Sequence, residues 1–170
     1  MNKLFVISGK GSSGKDTFVN FIKNYCSQDL KVTNFSSIDY MKWIAKNFLN
    51  INVDLKSHKL RKFLSEFKRI LTEFNDFPFK RCCDIIDGAE SDEILFLHIR
   101  EKSEIEKLKV KYPNLMVIYV DNNQIISYGN DSDDKCDEVV DIADVIIYNE
   151  GTLEDLNSTV KWFVKTYIYE

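Results

Sequence analysis

Residues 4–17 read LFVISGKGSSGKDT: four apolar residues, Leu4 to Ile7, lead through Ser8 into Gly9-Lys10-Gly11-Ser12-Ser13-Gly14-Lys15-Asp16-Thr17. Gly9 and the pair Gly14-Lys15 fit the G-x-x-x-x-G-K spacing of a phosphate-binding loop. Each part has a physical role. Glycines let the backbone curl until consecutive N–H groups point inward at an anion. The loop then opens a helix whose N-terminus carries partial positive charge. Lys15 adds a full charge able to span the β- and γ-phosphates of a nucleotide. An apolar strand before the loop and the amphipathic stretch Thr17 to Ile22 after it give the strand–loop–helix context that the motif requires.

The motif ordinarily ends in Ser or Thr, whose hydroxyl ligates Mg²⁺. Here Asp16 stands in that place and Thr17 follows. A carboxylate is a hard oxygen donor and can take the ion directly or through water. Thr17 is turned by about 100° along the helix and does not simply replace the missing hydroxyl.

Working outward, the pattern predicts strands at 3–8, 31–36, 93–99, 115–120 and 145–148. Helices are expected at 15–27, 38–48, 57–75, from Pro78 to about 88, from Ser103 to about 111, and from Thr152 onward. The 57–75 stretch places Leu60, Phe63, Leu64, Phe67, Ile70, Leu71 and Phe74 on one face. Ser103 with Glu106, and Thr152 with Asp155, have capping-box spacing. Strands alternating with helices imply a parallel α/β sheet with right-handed crossovers. In such sheets ligands bind beyond the carboxyl ends of the strands, so the residues following each strand are the candidates.

Arg100 follows the central strand in LHIREKSEI and offers a planar fork for phosphate. Its other reading is an ion pair with Glu104 one turn on. Asp39, just past the second strand, suits contact with an acceptor hydroxyl or a metal-bound water. It equally suits the helix-cap position. Lys42 lies one turn further and is either a phosphate contact or a solvated lysine. Lys56, Lys59, Arg61, Lys62, Lys68 and Arg69 form the strongly basic region. Within it Arg61 and Lys68 share a helix face and are expected to hold an acceptor phosphate, the remainder forming a solvated face. Asn149-Glu150-Gly151-Thr152 is either a loop presenting groups to a nucleotide base or an ordinary capped turn.

The 170 residues suit a single domain over 1–170, 44% hydrophobic and 29% charged. A net charge of −4 argues against a general nucleic-acid-polymer partner, which needs a basic face. No run of about 18 apolar residues suggests a membrane span. With no signal-peptide pattern and four cysteines lacking C-x-x-C spacing, a cytoplasmic setting and no zinc site are expected. Cys82 and Cys83 are expected to be buried helix residues.

SGKGSSGKDTFVNFI, with Gly-Lys-Asp for Gly-Lys-Ser/Thr, resembles phage deoxynucleoside monophosphate kinases and animal-type phosphomevalonate kinases. SSIDYMKWIAK, LRKFLSEFK, LTEFNDFPF, ILFLHIREKSEIEKLK and ADVIIYNEGTLEDL are similar to adenylate-kinase-like nucleotide kinases of phages and Gram-positive bacteria. The resemblance implies a three-layer P-loop NTPase fold, a five-stranded parallel sheet with helices on both faces. It implies ATP and Mg²⁺ on Gly9, Gly11, Ser12, Ser13, Gly14, Lys15, Asp16 and Thr17, with Asn149 and Gly151 near the adenine. Asp39 and Arg100 would face a small phosphorylated acceptor, bound by a helical insert over about 38–90. Lys15, Arg100 and Asp39 are then the candidate catalytic residues.

One departure stands out. Kinases of this kind bring arginines to the transferring phosphoryl group from a lid after the fourth strand. Here the lid-like stretch, about 122–142, has no arginine, one lysine (Lys135) and many carboxylates, and reads as a mobile solvated loop. Loss of such an arginine costs roughly 10³–10⁵ in rate. Lys135, Lys10 or Arg100 would have to substitute, or the chain binds nucleotide without turnover.

Overall fold

The computed structural model describes residues 3–55, 57–125 and 136–169. Five strands form one parallel sheet: β1 (Lys3–Ser8), β2 (Lys31–Ser36), β3 (Glu93–His98), β4 (Met116–Asp121) and β5 (Val145–Tyr148), in the order β2-β3-β1-β4-β5. β1 is central. Phe5 stands level with Phe96 of β3 on one side and Met116 of β4 on the other. Its residues from Leu4 to Ser8 are all buried, as a strand covered on both faces must be. The β5 edge reads differently: Val145 and Ile147 point inward while Ile146 and Tyr148 face solvent.

Helices α1 (Lys15–Tyr25), α2 (Asp39–Asn47), α3 (His58–Asn75), α4 (Phe77–Asp87), α5 (Lys102–Lys111) and α6 (Leu153–Phe163) fill the connections. The two-residue alternation of each strand divides the core. Phe5, Ile7 and Phe96 meet Phe18, Ile22, Val160 and Phe163 of α1 and α6 on one face. Leu4, Val6, Leu95 and Leu97 meet Cys82, Ile105 and Leu108 of α4 and α5 on the other. Phe5 stacks on Phe96 with centroids 5.0 Å apart, and Phe163 packs on Phe5 at 5.4 Å and on Phe18 at 5.3 Å. Full burial of each such ring contributes roughly 1.5–3 kcal/mol. A smaller third cluster of Met41, Ala45, Leu60 and Leu64 joins α2 to α3, off the sheet.

The helices follow the sequence pattern closely, with three local differences. α5 begins at Lys102, and no side chain caps it, so Ser103 lies inside the helix. Asp39 is the first residue of α2 and not its cap; its Oδ2 instead accepts from the Ser36 N–H at 2.8 Å. The acidic segment is not a solvated loop throughout. Asp137–Ile142 forms a 3₁₀ turn with Val139 buried, Asp141 paired with Lys102, and Asp137 accepting from Tyr119 at 2.9 Å. Asp144 accepts from the Val117 N–H at 2.7 Å and pairs with Lys109. Lys56 and the rest of the lid-like stretch at 126–135, Lys135 included, lie outside the described residues. At α6 the capping box forms as read: Thr152 Oγ1 accepts from the Asp155 N–H and Asp155 Oδ2 accepts from the Thr152 N–H.

Cys82 and Cys83 are buried, and burial pushes the Cys82 thiol well above its ordinary range. No helix among the described residues is long and apolar enough to cross a membrane.

Candidate functional site

The loop after β1 adopts a backbone that its glycines make accessible. Gly9 has φ +134° and Gly14 φ +98°, both in the left-handed region that side chains disfavour. A Cβ on Gly9 would collide with the Val120 carbonyl of β4, and one on Gly14 with the Asn149 amide. The loop therefore packs so closely against β4 and Asn149 that a side chain at either position would push it out of place.

Lys15 opens α1 and is only 8% exposed. Its ammonium folds back inside the loop, donating to the Gly9 carbonyl at 2.7 Å, the Lys10 carbonyl at 2.6 Å and Ser13 Oγ at 3.2 Å. No side chain caps α1, whose first helical hydrogen bond runs from the Phe18 N–H to the Gly14 carbonyl. The first-turn amides thus face the loop without a competing internal acceptor side chain, the arrangement that binds an anion. Across the loop, Asn149 Nδ2 donates to the Ser13 carbonyl at 2.8 Å and ties the β5–α6 connection to the cradle. Gly151 lies beside the Thr152–Asp155 box, exposed.

His98, the last residue of β3, stands at the centre of the neighbouring charges. Burial, aided by the positive charges of Lys15 and Lys42, depresses its imidazole to about 4 against the opposing pull of Asp16 and Asp39. The ring is therefore neutral at pH 7. Its Nε2 lies 2.5 Å from Asn34 Oδ1, an acceptor only, so Nε2 carries the proton and donates. Asn34 Nδ2 in turn reaches Asp16 Oδ1 at 3.5 Å, with His98 Nε2 3.8 Å from the same oxygen. Lys42 pairs with Asp39 at 3.1 Å. Lys15, Asp16, Asp39 and Lys42 are thus brought together at the ends of β1, β2 and β3.

Lys68 is placed differently from the expected acceptor-phosphate contact. Its ammonium, on a residue 5% exposed, lies 2.5 Å from Glu101, 2.7 Å from Glu104 and 2.9 Å from Ser37 Oγ. Burial would lower the lysine, but the two carboxylates outweigh it and hold it protonated. Glu101 is raised by burial and lowered more by Lys68, ending below its ordinary range. Burial dominates at Glu104 and holds it above. Glu104, the residue one turn on from Arg100, has its carboxylate on Lys68 at 2.7 Å. Arg100 and Arg61 are both half-buried. Lys10 pairs with Asp137 at 3.1 Å, so the loop's second lysine is turned toward the 3₁₀ segment.

Sequence reasoning named the loop and the strand-end positions, Arg100-Glu101 among them, but gave no site role to Asn34, His98 or Glu101. The signal was present as a histidine closing an apolar strand and an asparagine inside a short one.

No protein-family model matches the sequence, and no curated protein matches it. Solved structures do. Shikimate kinase from Aquifex aeolicus superposes with a TM-score of 0.54 at 10% identity, covering 99% of each chain. A candidate kinase from Chloroflexus aurantiacus gives 0.52 at 11% identity over 99% of this chain and 96% of that one. The protein APE1195 gives 0.53 at 14% identity over 98% and 96%. At such identities the likeness is one of fold. With the sheet order and the loop geometry, it defines a three-layer α/β P-loop NTPase fold.

Proposed function

We propose that this protein is a phosphotransferase that moves the terminal phosphoryl group of ATP to a (deoxy)nucleoside monophosphate or a comparable small phosphorylated acceptor. The observation that carries the reading is the Lys15 ammonium held inside a glycine-shaped ring of backbone, at the N-terminus of a helix with no side-chain cap. An entering triphosphate exchanges carbonyl partners for phosphate oxygens at that ammonium. Gly9 to Thr17 line the phosphates, and Asn149 and Gly151 lie toward the base.

The residues suit Mg²⁺ as kinases use it. Among the described residues no cluster of three or more His, Cys, Asp or Glu side chains suits a metal. Mg²⁺ in nucleotide sites needs only one or two carboxylates, the substrate's phosphates and water completing its shell. Asp16 is the carboxylate for that role, and the ion, when bound, neutralises charge on the phosphate oxygens. Asp39 receives or orients the acceptor. Arg100, Arg61 and Lys42 supply positive charge to its phosphate, and Lys68 supports them by fixing Glu101 beside Arg100. Catalysis in this reading is placement and charge neutralisation.

The test is a product assay with ATP, Mg²⁺ and a panel of all common nucleoside and deoxynucleoside monophosphates, with shikimate and phosphomevalonate added. Formation of a phosphorylated product from one nucleotide acceptor supports the reading; product from phosphomevalonate alone transfers it to a non-nucleotide acceptor. A second reading is favoured by one observation. Arg100 is the last arginine in the chain, and Lys10 is paired with Asp137. A nucleotide-binding protein without turnover would bind ATP in calorimetry and yield no product with any acceptor.

A further inference from the structure

Three polar side chains from three elements meet beside the loop. Asp16 sits on the first turn of α1, Asn34 on the edge strand β2, and His98 at the end of β3. The contacts run in one direction. The imidazole Nε2–H donates to Asn34 Oδ1 at 2.5 Å, which fixes the amide with its NH₂ toward Asp16. Asn34 Nδ2 then reaches Asp16 Oδ1 at 3.5 Å. The Asp16 side chain is otherwise 84% exposed. A carboxylate so exposed explores several rotamers, whereas the Ser or Thr hydroxyl ordinary at this place is short and held close to the helix.

We infer that Asn34 and His98 are positioning residues for Asp16, holding one carboxylate oxygen so that the side chain is oriented for a divalent cation on the loop-bound phosphates. This rests on the reading of Asp16 as the Mg²⁺ carboxylate. Outer partners of a ligand orient it and tune its affinity, and their loss commonly lowers metal affinity about 10–100-fold. The long Asn34–Asp16 contact places this case near the lower figure. The structure also explains why the middle member is an amide. Asn34 accepts from an imidazole N–H and reaches an aspartate oxygen with its own N–H, and a single carboxamide does both.

The test is calorimetric titration of the full-length protein with ATP, once with Mg²⁺ and once with EDTA. The ratio of the two affinities reads the cation's contribution without requiring turnover. Asn34→Ala is expected to lower that ratio about tenfold and leave the affinity in EDTA unchanged. His98→Ala behaves alike, while His98→Gln, whose amide N–H replaces the ring donor, retains the ratio. Asp16→Ala lowers the ratio fully, and adding Asn34→Ala to it lowers it no further, the mark of groups acting through one another. Should the partly buried His98 variants fail to fold, Asn34→Ala on the edge strand carries the test. An unchanged ratio in Asn34→Ala beside a collapsed one in Asp16→Ala overturns the inference. So does an equal loss in both buffers, which would mark a purely structural role. An unchanged ratio in Asp16→Ala defeats the metal reading of Asp16. Absence of ATP binding by the unaltered protein in either buffer defeats the loop reading itself, and the inference with it.

Discussion

Replacing Lys68 by methionine keeps the length and apolar stem of the side chain and removes only its ammonium. In the structure that ammonium sits among Glu101, Glu104 and the Ser37 hydroxyl at 2.5, 2.7 and 2.9 Å, with Lys68 5% and Glu104 8% exposed. Deleting one partner of a buried ion pair leaves uncompensated charge and costs about 3–5 kcal/mol. That is a large share of the roughly 5–15 kcal/mol that hold a domain together. At about 2–4 °C per kcal/mol for a chain of this size, the melting temperature should fall by about 6–20 °C.

The pH dependence sharpens the Lys68→Met test. In the intact protein Glu101 is held below its ordinary range, so its stabilising contribution is present above the unfolded value and is lost as pH falls through the lowered one. Glu104 is held above its range, so its ionised form opposes folding, and acid relieves that opposition. Without the ammonium, Glu101 loses the attraction that held it low, and two neighbouring carboxylates, Glu104 buried and Glu101 partly exposed, repel. Protonation of either then restores stability. Urea unfolding near pH 7.5 and near pH 5 should show the variant's deficit narrowing in acid. Adding Glu104→Gln to the variant should recover part of the loss at the higher pH. A deficit under about 1 kcal/mol at both pH values, the size of a surface ion pair, or one that does not narrow, would refute the reasoning. If Lys68→Met instead raised only the acceptor KM, Lys68 would be the phosphate contact that its spacing first suggested.

Other expectations concern the loop, the cap and the acceptor side. Gly14→Ala forces a side chain to φ +98° and into the Asn149 amide. About 1–2 kcal/mol of backbone strain and about 1 kcal/mol of lost hydrogen bonding should appear as a lower melting temperature, with ATP affinity in calorimetry falling more than about tenfold. Thr152→Ala removes the α6 cap and should cost about 1 kcal/mol in urea unfolding. Arg100→Ala should raise the acceptor KM by about tenfold or more in steady-state kinetics while leaving the KM for ATP nearly unchanged; the opposite pattern would place Arg100 on the nucleotide side.

The fold was largely legible because its signals are local. Near-continuous apolar runs such as EILFLHI and LMVIYV could only be strands covered on both faces, and the helices between them carried clear one-sided stripes. The loop was legible because phosphate binding by backbone amides demands glycines at fixed spacing. What escaped was set by long-range contacts. Lys68 meets Glu101 and Glu104 across 33 and 36 positions of chain, so a helix wheel showed only a basic residue on a face. Ser103 had the capping-box spacing, but α5 starts one residue before it, just after a Glu101 whose carboxylate is drawn to Lys68. Asp137, Asp141 and Asp144 looked like a solvated acidic run. Tyr119, Lys102, Lys109 and a strand N–H are their partners, and none of these is near in sequence. Asn34 and His98 carried polarity into strands where nothing local explained it.

The central claim is that a glycine-shaped ring of backbone, with the Lys15 ammonium inside it, grips a nucleotide triphosphate. Calorimetric titration of the purified protein with ATP and Mg²⁺ tests it most directly. Saturable one-to-one binding is predicted, weakened in Lys15→Ala by about 10–150-fold, the equivalent of a charge-assisted hydrogen bond of about 1.5–3 kcal/mol. No saturable binding, or the same affinity in Lys15→Ala, would contradict it.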